Sequence, residues 1–478
     1  MYLELDGSGP LHGQLTRALK SAMFTGGVHV GARLPATRLL ARELGVSRNT
    51  VLAAYEQLRA EGFVDGRVGS GSYVTPPLQT AALAPAATQP IEPQSAYARR
   101  SRQYQDQARF FRRRPPPARY AFHYASPSTN PAVTSAWARE LSHAALYTSP
   151  GYPTAQGWPA LRENICDYLA RRRGILAQPE DILIVGGTQQ AMALTARVLL
   201  DEGDEVAIED PQYSAVRTVL KVHGAQLVPV AVDEQGLKVE MLPARPPRLV
   251  CVSPSHQFPI GSVLSLSRRL ALLDYARRHQ CWIFEDDYDG EFRYDAKPIA
   301  ALRSLDESGH VIYIGTFSKA LFPSLRLGYI VMPAQLRADF VMAKWLDDFG
   351  APTVEQAALA NFMANGGFER HLRRTAKTLK ERRTALIDGL RRLAGDRIEM
   401  ADSHAGMHLV AWLRGKSQQQ GEDFAAHART LDLELSTISQ FYIDPPDRAG
   451  LLLGFASMSV SEIEQALVRF ARCLDEMP

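Results

Sequence analysis

Lysine and cysteine are both scarce in this chain of 478 residues. Its four cysteines, Cys166, Cys251, Cys281 and Cys473, stand far apart, with no C-x-x-C pair and no histidine cluster at metal spacing. This argues against a disulfide framework or a zinc site and leaves buried apolar thiols as the reading. No run of about 18 apolar residues occurs, so no membrane span is expected. The opening stretch, MYLELDGSGPLHGQL, lacks the basic segment and apolar core of a secretory signal, so the cytoplasm is the expected location. An excess of one charge sign is also missing, with 54 basic against 51 acidic residues. Hydrophobic residues at 46% and charged residues at 22% are ordinary for globular chains. Disorder, collagen repeats and a coiled-coil rod are excluded for the bulk of the chain. The length exceeds one compact unit of usual size, so at least two domains are expected.

The charge is unevenly placed. Residues 1–120 carry 16 Arg/Lys against 8 Asp/Glu, which leaves the rest mildly acidic and suggests an anionic partner for the front. Lysine makes up nine of the 54 basic residues, so a lysine in a chemically suggestive setting stands out. Three zones separate by pattern. Residues 1–75 read as helices followed by a short strand pair. Residues 76–119 read as a linker, first rich in Pro, Ala and Gln, then holding eight arginines between Arg99 and Arg119. From 120 to 478, short β-branched runs alternate with helical patterns, which predicts a mostly parallel sheet covered on both faces.

In the front zone, apolar residues at helical spacing predict a helix over Leu11–Gly26. Thr37 is placed to cap a second helix, Gly45 suits a left-handed turn, and Ser47 caps a third. Val51, Leu52, Tyr55 and Leu58 form the predicted inner face of that third helix. Two short helices joined by a glycine turn, then two strands around a Gly-rich tip, make a winged helix-turn-helix. Its recognition helix presents Ser47, Arg48, Asn49 and Thr50 to a DNA groove, with Arg38 and Arg67 placed for phosphates. The bland alternative is a protein-docking helical domain. The segment LPATRLLARELGVSRNTVLAAYEQLRAEGFV…GSGSYV closely resembles the winged-helix domain of the GntR family. That resemblance implies double-stranded operator DNA as partner, with Arg38, Arg48, Thr50 and Gly69 at contacting positions.

In the large zone, Lys319 lies in YIGTFSKALFPSLRLGY, at a strand end just after the hydroxyl residues Thr316 and Ser318. A lysine so placed can form a Schiff base with an aldehyde cofactor, while Thr316, Ser318 and Arg326 can hold a phosphate. The strand CWIFEDDYDGEF ends with Asp286 and Tyr288, which suit the ring nitrogen and phenolate oxygen of pyridoxal phosphate. In DILIVGGTQQ, Gly187, Thr188 and Gln189 form an anion cradle at a helix start. Tyr213, after another strand, can stack on a ring. Each signal alone has an ordinary structural reading. Together, in this order, they resemble the fold-type I aminotransferases over residues 120–478. The resemblance implies an α/β/α pyridoxal-phosphate domain with a large part over about 120–365 and a small part over about 366–478. It also implies a homodimer, with Tyr152 reaching the phosphate of the partner subunit.

The sequence departs from that family at two places. Leu452, in GLLLGFASMS, stands where the enzymes carry an arginine that clamps the substrate carboxylate. Phe258, in SPSHQFPIG, stands where they carry an asparagine beside the phenolate oxygen, and His256 and Gln257 are both candidates to replace it. A winged helix joined to such a domain resembles the MocR-type regulators of the GntR family, of which SHQFPIG and EDDYDGEF are typical. The member that senses γ-aminobutyrate has an arginine where this chain has Ala215, so that effector is not implied. A sensor of pyridoxal phosphate itself, like the vitamin B6 regulators, or of another small-molecule effector fits better. Head-to-tail domain swapping is one arrangement open to the homodimer. The competing readings are an active aminotransferase with an appended DNA-binding domain and, behind it, a decarboxylase or lyase.

Overall fold

The structure is a computed structural model that describes residues 3–67, 71–75, 95–104, 118–124, 131–149, 151–294, 299–401 and 404–477. The chain divides into two units, residues 1–92 and 93–478.

The first unit is small. Helices α1 (Leu11–Phe24), α2 (Thr37–Leu44) and α3 (Arg48–Ala60) precede the antiparallel strands β1 (Val64–Arg67) and β2 (Gly71–Val74). Leu15, Leu19, Leu40, Val51, Ala54, Leu58, Val64 and Val74 close its core. Gly45 adopts φ 64°, the left-handed turn between α2 and α3. Two expectations are corrected. Ala36, not Thr37, precedes α2, and no side chain caps it. Leu52 points outward at 41% exposure, and Ala54 fills the inner face instead, because a 3.6-residue turn places 51, 54, 55 and 58 on one stripe.

The second unit begins with α4 (Ala96–Arg102) and β3 (Tyr120–Ala121). A sheet of eight strands follows: β4 (Ile182–Val185), β5 (Glu205–Asp210), β6 (Gln226–Asp233), β7 (Gly236–Leu237), β8 (Leu249–Val252), β9 (Trp282–Asp287), β10 (Val311–Thr316) and β11 (Gly328–Val331). Their spatial order is β4-β11-β10-β9-β8-β5-β6-β7. The run β10-β9-β8-β5-β6 is parallel, and β11 is antiparallel to both neighbours. Alternate residues serve opposite faces: in β4, Leu183 and Val185 pack with helices Thr188–Leu199 and Ser214–His223, whereas Ile182 and Ile184 pack with helix Pro159–Arg173. Both faces are therefore covered, as buried apolar strands require.

The small part is a four-stranded antiparallel sheet of β12 (Ile398–Ala401), β13 (His408–Leu413), β15 (Ser436–Thr437) and β16 (Gly450–Gly454), while β14 (Leu433–Glu434) pairs with β3. Leu451 and Leu453 face helices Gly367–Ala394 and Val460–Glu476; Leu452, between them, faces the other way.

The expected linker over 76–119 is partly folded structure. Ser95 caps α4, its hydroxyl accepting from the Ala98 amide at 3.1 Å. Arg100 donates to the Val222 carbonyl at 2.8 Å and to Glu202 at 2.7 Å, and Tyr97 meets His223 edge-on at 5.5 Å. Those contacts bind α4 to helix Ser214–His223, so the compact unit begins earlier than residue 120. Arg112, Arg113 and Arg114 lie outside the described residues. Cys251, Cys281 and Cys473 are buried free thiols, whereas Cys166 is half-exposed.

Candidate cofactor and DNA-binding sites

Strand register assembles the phosphate end of the cleft. Gly328 in β11 pairs with Val185 on one side and Thr316 on the other. Three chain segments, after β4, after β10 and before β11, therefore meet. Gly187 has φ 99° and opens helix Thr188–Leu199. A Cβ on Gly328 would stand 3.0 Å from the Gly187 Cα and 2.9 Å from the Gly315 carbonyl, so the close approach requires glycine. A Cβ on Gly187 would be 3.6 Å from both terminal nitrogens of Arg326. The guanidinium thus lies over a helix N-terminus, with Thr316 and Ser318 alongside, where the Thr316 hydroxyl accepts from the Ser318 amide at 3.2 Å. This cradle fits a phosphate. The Gln189 side chain is exposed, so its backbone position is what it offers.

The ring end is set by β9 and its extension. Thr188 donates to Asp286 at 3.4 Å. Burial, helped by the charge of Asp287, pushes the Asp286 carboxyl up to about 7 against the Thr188 hydrogen bond. Burial also brings the Lys319 amine down to about 8, opposed by Asp289 and Asp286. The Tyr288 hydroxyl sits 2.9 Å from His256 Nδ1, which also faces Asp289 at 2.9 Å. His256 is buried and lies against His408, with ring centroids 5.2 Å apart. Gln257 is turned elsewhere: its amide donates to the carbonyls of Pro211 and Phe258 at 2.7 Å. Tyr213 meets Phe258 edge-on at 5.7 Å. A phosphate cradle, a carboxylate and a lysine whose amine burial holds below its usual range together fit pyridoxal phosphate.

The opposite wall is apolar. Leu452 is fully buried and packs with Phe258, Val410, Trp412, Ile438 and Phe441, with Tyr124, Tyr213 and Tyr288 at the edge. Tyr152 is 91% exposed, lies tilted against Phe349 with ring centroids 5.8 Å apart, and is not brought to the cleft within one chain.

At the other site, Arg38, Ser47, Arg48 and Asn49 are exposed at the start of α3 and on α2, with Thr50 half-buried. The Ser47 hydroxyl accepts from the Thr50 amide at 3.0 Å and lies 2.8 Å from the Thr50 hydroxyl, so both serve the cap. Arg67 belongs to β1, paired with Gly71; Gly69 lies outside the described residues.

Matches to known proteins agree with this layout. Residues 11–74 match the family described as bacterial regulatory proteins, gntR family, and residues 123–470 match aminotransferase class I and II. The chain is 36% identical over 473 residues to the probable rhizopine catabolism regulatory protein MocR of Rhizobium meliloti, covering 98% of this chain and 94% of that one. The chain belongs to the MocR-type regulators of the GntR family. The pyridoxine biosynthesis regulator PdxR of Corynebacterium glutamicum is 30% identical over 447 residues, covering 93% of this chain and 91% of that one. Among solved structures, Pyrococcus horikoshii kynurenine aminotransferase has a TM-score of 0.70 at 26% identity, covering 78% of this chain and 94% of that one. This MocR-type chain is thus a DNA-binding transcriptional regulator whose second domain takes pyridoxal phosphate.

Several groups escaped the sequence reading. Asp289 and His408 complete the buried set around His256. Arg33 and Arg59 border the wing: a Cβ on Gly71 would meet Arg33 Nε at 2.7 Å, and one on Gly66 would meet Arg59 Nη2 at 2.7 Å. The signal available was a bare glycine backbone in each wing strand. No described helix is long and apolar enough to cross a membrane.

Proposed function

We propose that this regulator acts in the cytoplasm as a homodimer on operator DNA, and that its cofactor domain senses a small molecule instead of turning over amino acids. The observation that carries this is Leu452, fully buried among aromatic side chains where an enzyme of this fold needs a cation. An α-carboxylate brought there would lose its hydration without gaining a partner. Arg326, Thr188, Thr316 and Ser318 hold the cofactor phosphate, Asp286 its ring nitrogen, Tyr213 its ring face, and Tyr288 with His256 its phenolate oxygen. Tyr152 serves the site of the partner subunit. Bound there, pyridoxal phosphate supplies an aldehyde carbon and an electron-withdrawing ring. Lys319, with its amine held near pH 8, is the nucleophile for that aldehyde.

At the DNA, Arg48 and Asn49 reach base edges, while Arg38 and Arg67 take phosphates, with Ser47 and Thr50 fixing the start of α3. The effector is pyridoxal phosphate itself or an amine without a carboxylate; the likeness to PdxR supports the first. Footprinting of upstream DNA with and without pyridoxal phosphate tests it, and equal occupancy in both rejects the cofactor as signal. The intact set around Lys319 favours one other reading, residual transamination. Multiple turnovers with a common amino acid would establish that reading and remove the sensor-only one.

A further inference from the structure

A second cleft, of about 440 Å³, lies between helices Pro131–Tyr147, Thr353–Ala364 and Gly367–Ala394. That volume falls in the range of small-molecule sites, about 300–1,000 Å³. Arg139 from the first helix faces Arg370 and Arg374, which stand one turn apart on the third, with His371 between them and Phe362 as apolar floor. None of the three arginines pairs with an acid among the described residues. Glu140, the acidic group of the lining, accepts from Asn365 at 2.8 Å.

The backbone adds to the same sign. Gly366, at φ 73°, precedes the 28-residue helix Gly367–Ala394, whose N-terminus opens at the cleft. A Cβ on Gly366 would stand 3.0 Å from Arg370 Nη1, so the guanidinium lies against that helix end. Cations are disfavoured at a helix N-terminus. The acid of the first turn, Glu369, does not offset them, because it pairs with Arg172. Three exposed arginines and a helix N-terminus around one cavity, against the single carboxylate of Glu140, give it a positive excess.

We propose that this cleft binds a small polyanion, a phosphorylated or polycarboxylate metabolite, at a site separate from the cofactor cleft. The forked guanidinium groups and the helix amides supply the charge-assisted donors that such oxygens take. The site also touches the cofactor machinery. His371, buried at the cleft wall, lies with Nε2 2.6 Å from the carbonyl of Ala320, the residue after Lys319. An anion held by Arg370 and Arg374 acts on the histidine between them and, through it, on the short helix that carries Lys319. The ligand is thus a second input to the regulator.

Calorimetric titration of the full-length protein, saturated with pyridoxal phosphate, with pyrophosphate and then citrate tests this. Saturable binding of one anion per chain is expected. The double variant Arg370→Gln, Arg374→Gln should weaken it by about tenfold or more while keeping the visible cofactor spectrum. Arg139→Gln is the second variant, should the double one fail to fold. Binding left unchanged by either folded variant overturns the proposal. So does the absence of saturable binding up to about 10 mM, weaker than the usual metabolite range. A uniform loss of affinity for operator and unrelated DNA, without any effect on small-anion binding, would make the patch a DNA-phosphate surface instead and also overturns it.

Discussion

The two walls of the cofactor cleft differ in kind. One, built at the ends of β4, β9, β10 and β11, presents Thr188, Asp286, Thr316, Lys319 and Arg326. The other, built from β13, β16 and the segment around Phe258, presents Phe258, Trp412, Phe441 and Leu452. The first wall presents ionisable side chains of both signs, Asp286, Lys319 and Arg326; Phe258, Trp412, Phe441 and Leu452 on the second are apolar. On the proposed reading, keeping a cofactor and gripping an amino acid are separable properties, set by different strands, with Leu452 of β16 bearing on the second.

Predictions that strain this contrast can be ranked. Lys319→Ala should abolish the yellow absorbance and the borohydride-reducible adduct outright; a persisting adduct would place the reactive amine elsewhere. Leu452→Ala should cost about 2–5 kcal/mol of stability in denaturant titration, since it empties a fully buried place, yet leave the cofactor spectrum intact. A spectrum lost with the leucine would show that the walls are coupled. In cofactor-free protein, Asp286 is pushed up to about 7 from 3.8. Between those values the folded chain keeps a proton that the unfolded chain releases, so stability falls as pH rises from 3.8 toward 7 and levels off above. Asp286→Asn should make that slope shallower in melting curves taken from pH 4 to 8. Glu209, pushed up to about 8 by burial, and Glu285 and Glu291, pushed up to about 7, share the direction and keep most of the slope. Smallest, Ser47→Ala should cost about 1 kcal/mol through the lost cap of α3 and reduce operator affinity; unchanged stability would remove Ser47 from the cap.

Much of this was legible in the chain. Short β-branched runs marked β4, β5, β8, β9 and β10 because both faces of a parallel sheet are buried. Lys319 stood out because lysine is rare and this one follows a strand. The missing arginine at Leu452 was visible as an absence, but its surroundings were not, since Trp412 comes from β13 and Ile438 from the turn after β15. The docking of α4 was hidden for the same reason: Arg100 finds its partners more than 100 residues away, at Glu202 and Val222. Its arginines read as a charged tether because local composition cannot show a distant carbonyl. Leu52 was misplaced by counting an apolar residue as inward where the helical angle turns it out.

Helix Ser214–His223 begins directly after Tyr213 and ends where Arg100 holds the Val222 carbonyl. Ten residues make a rod about 15 Å long. A tilt of about 10° about its ring end would swing the far end by about 2.6 Å. That displacement is larger than the spread of lengths a hydrogen bond tolerates. The grip on α4 therefore sits at the far end of a lever, where a small tilt at the Tyr213 end becomes a large displacement.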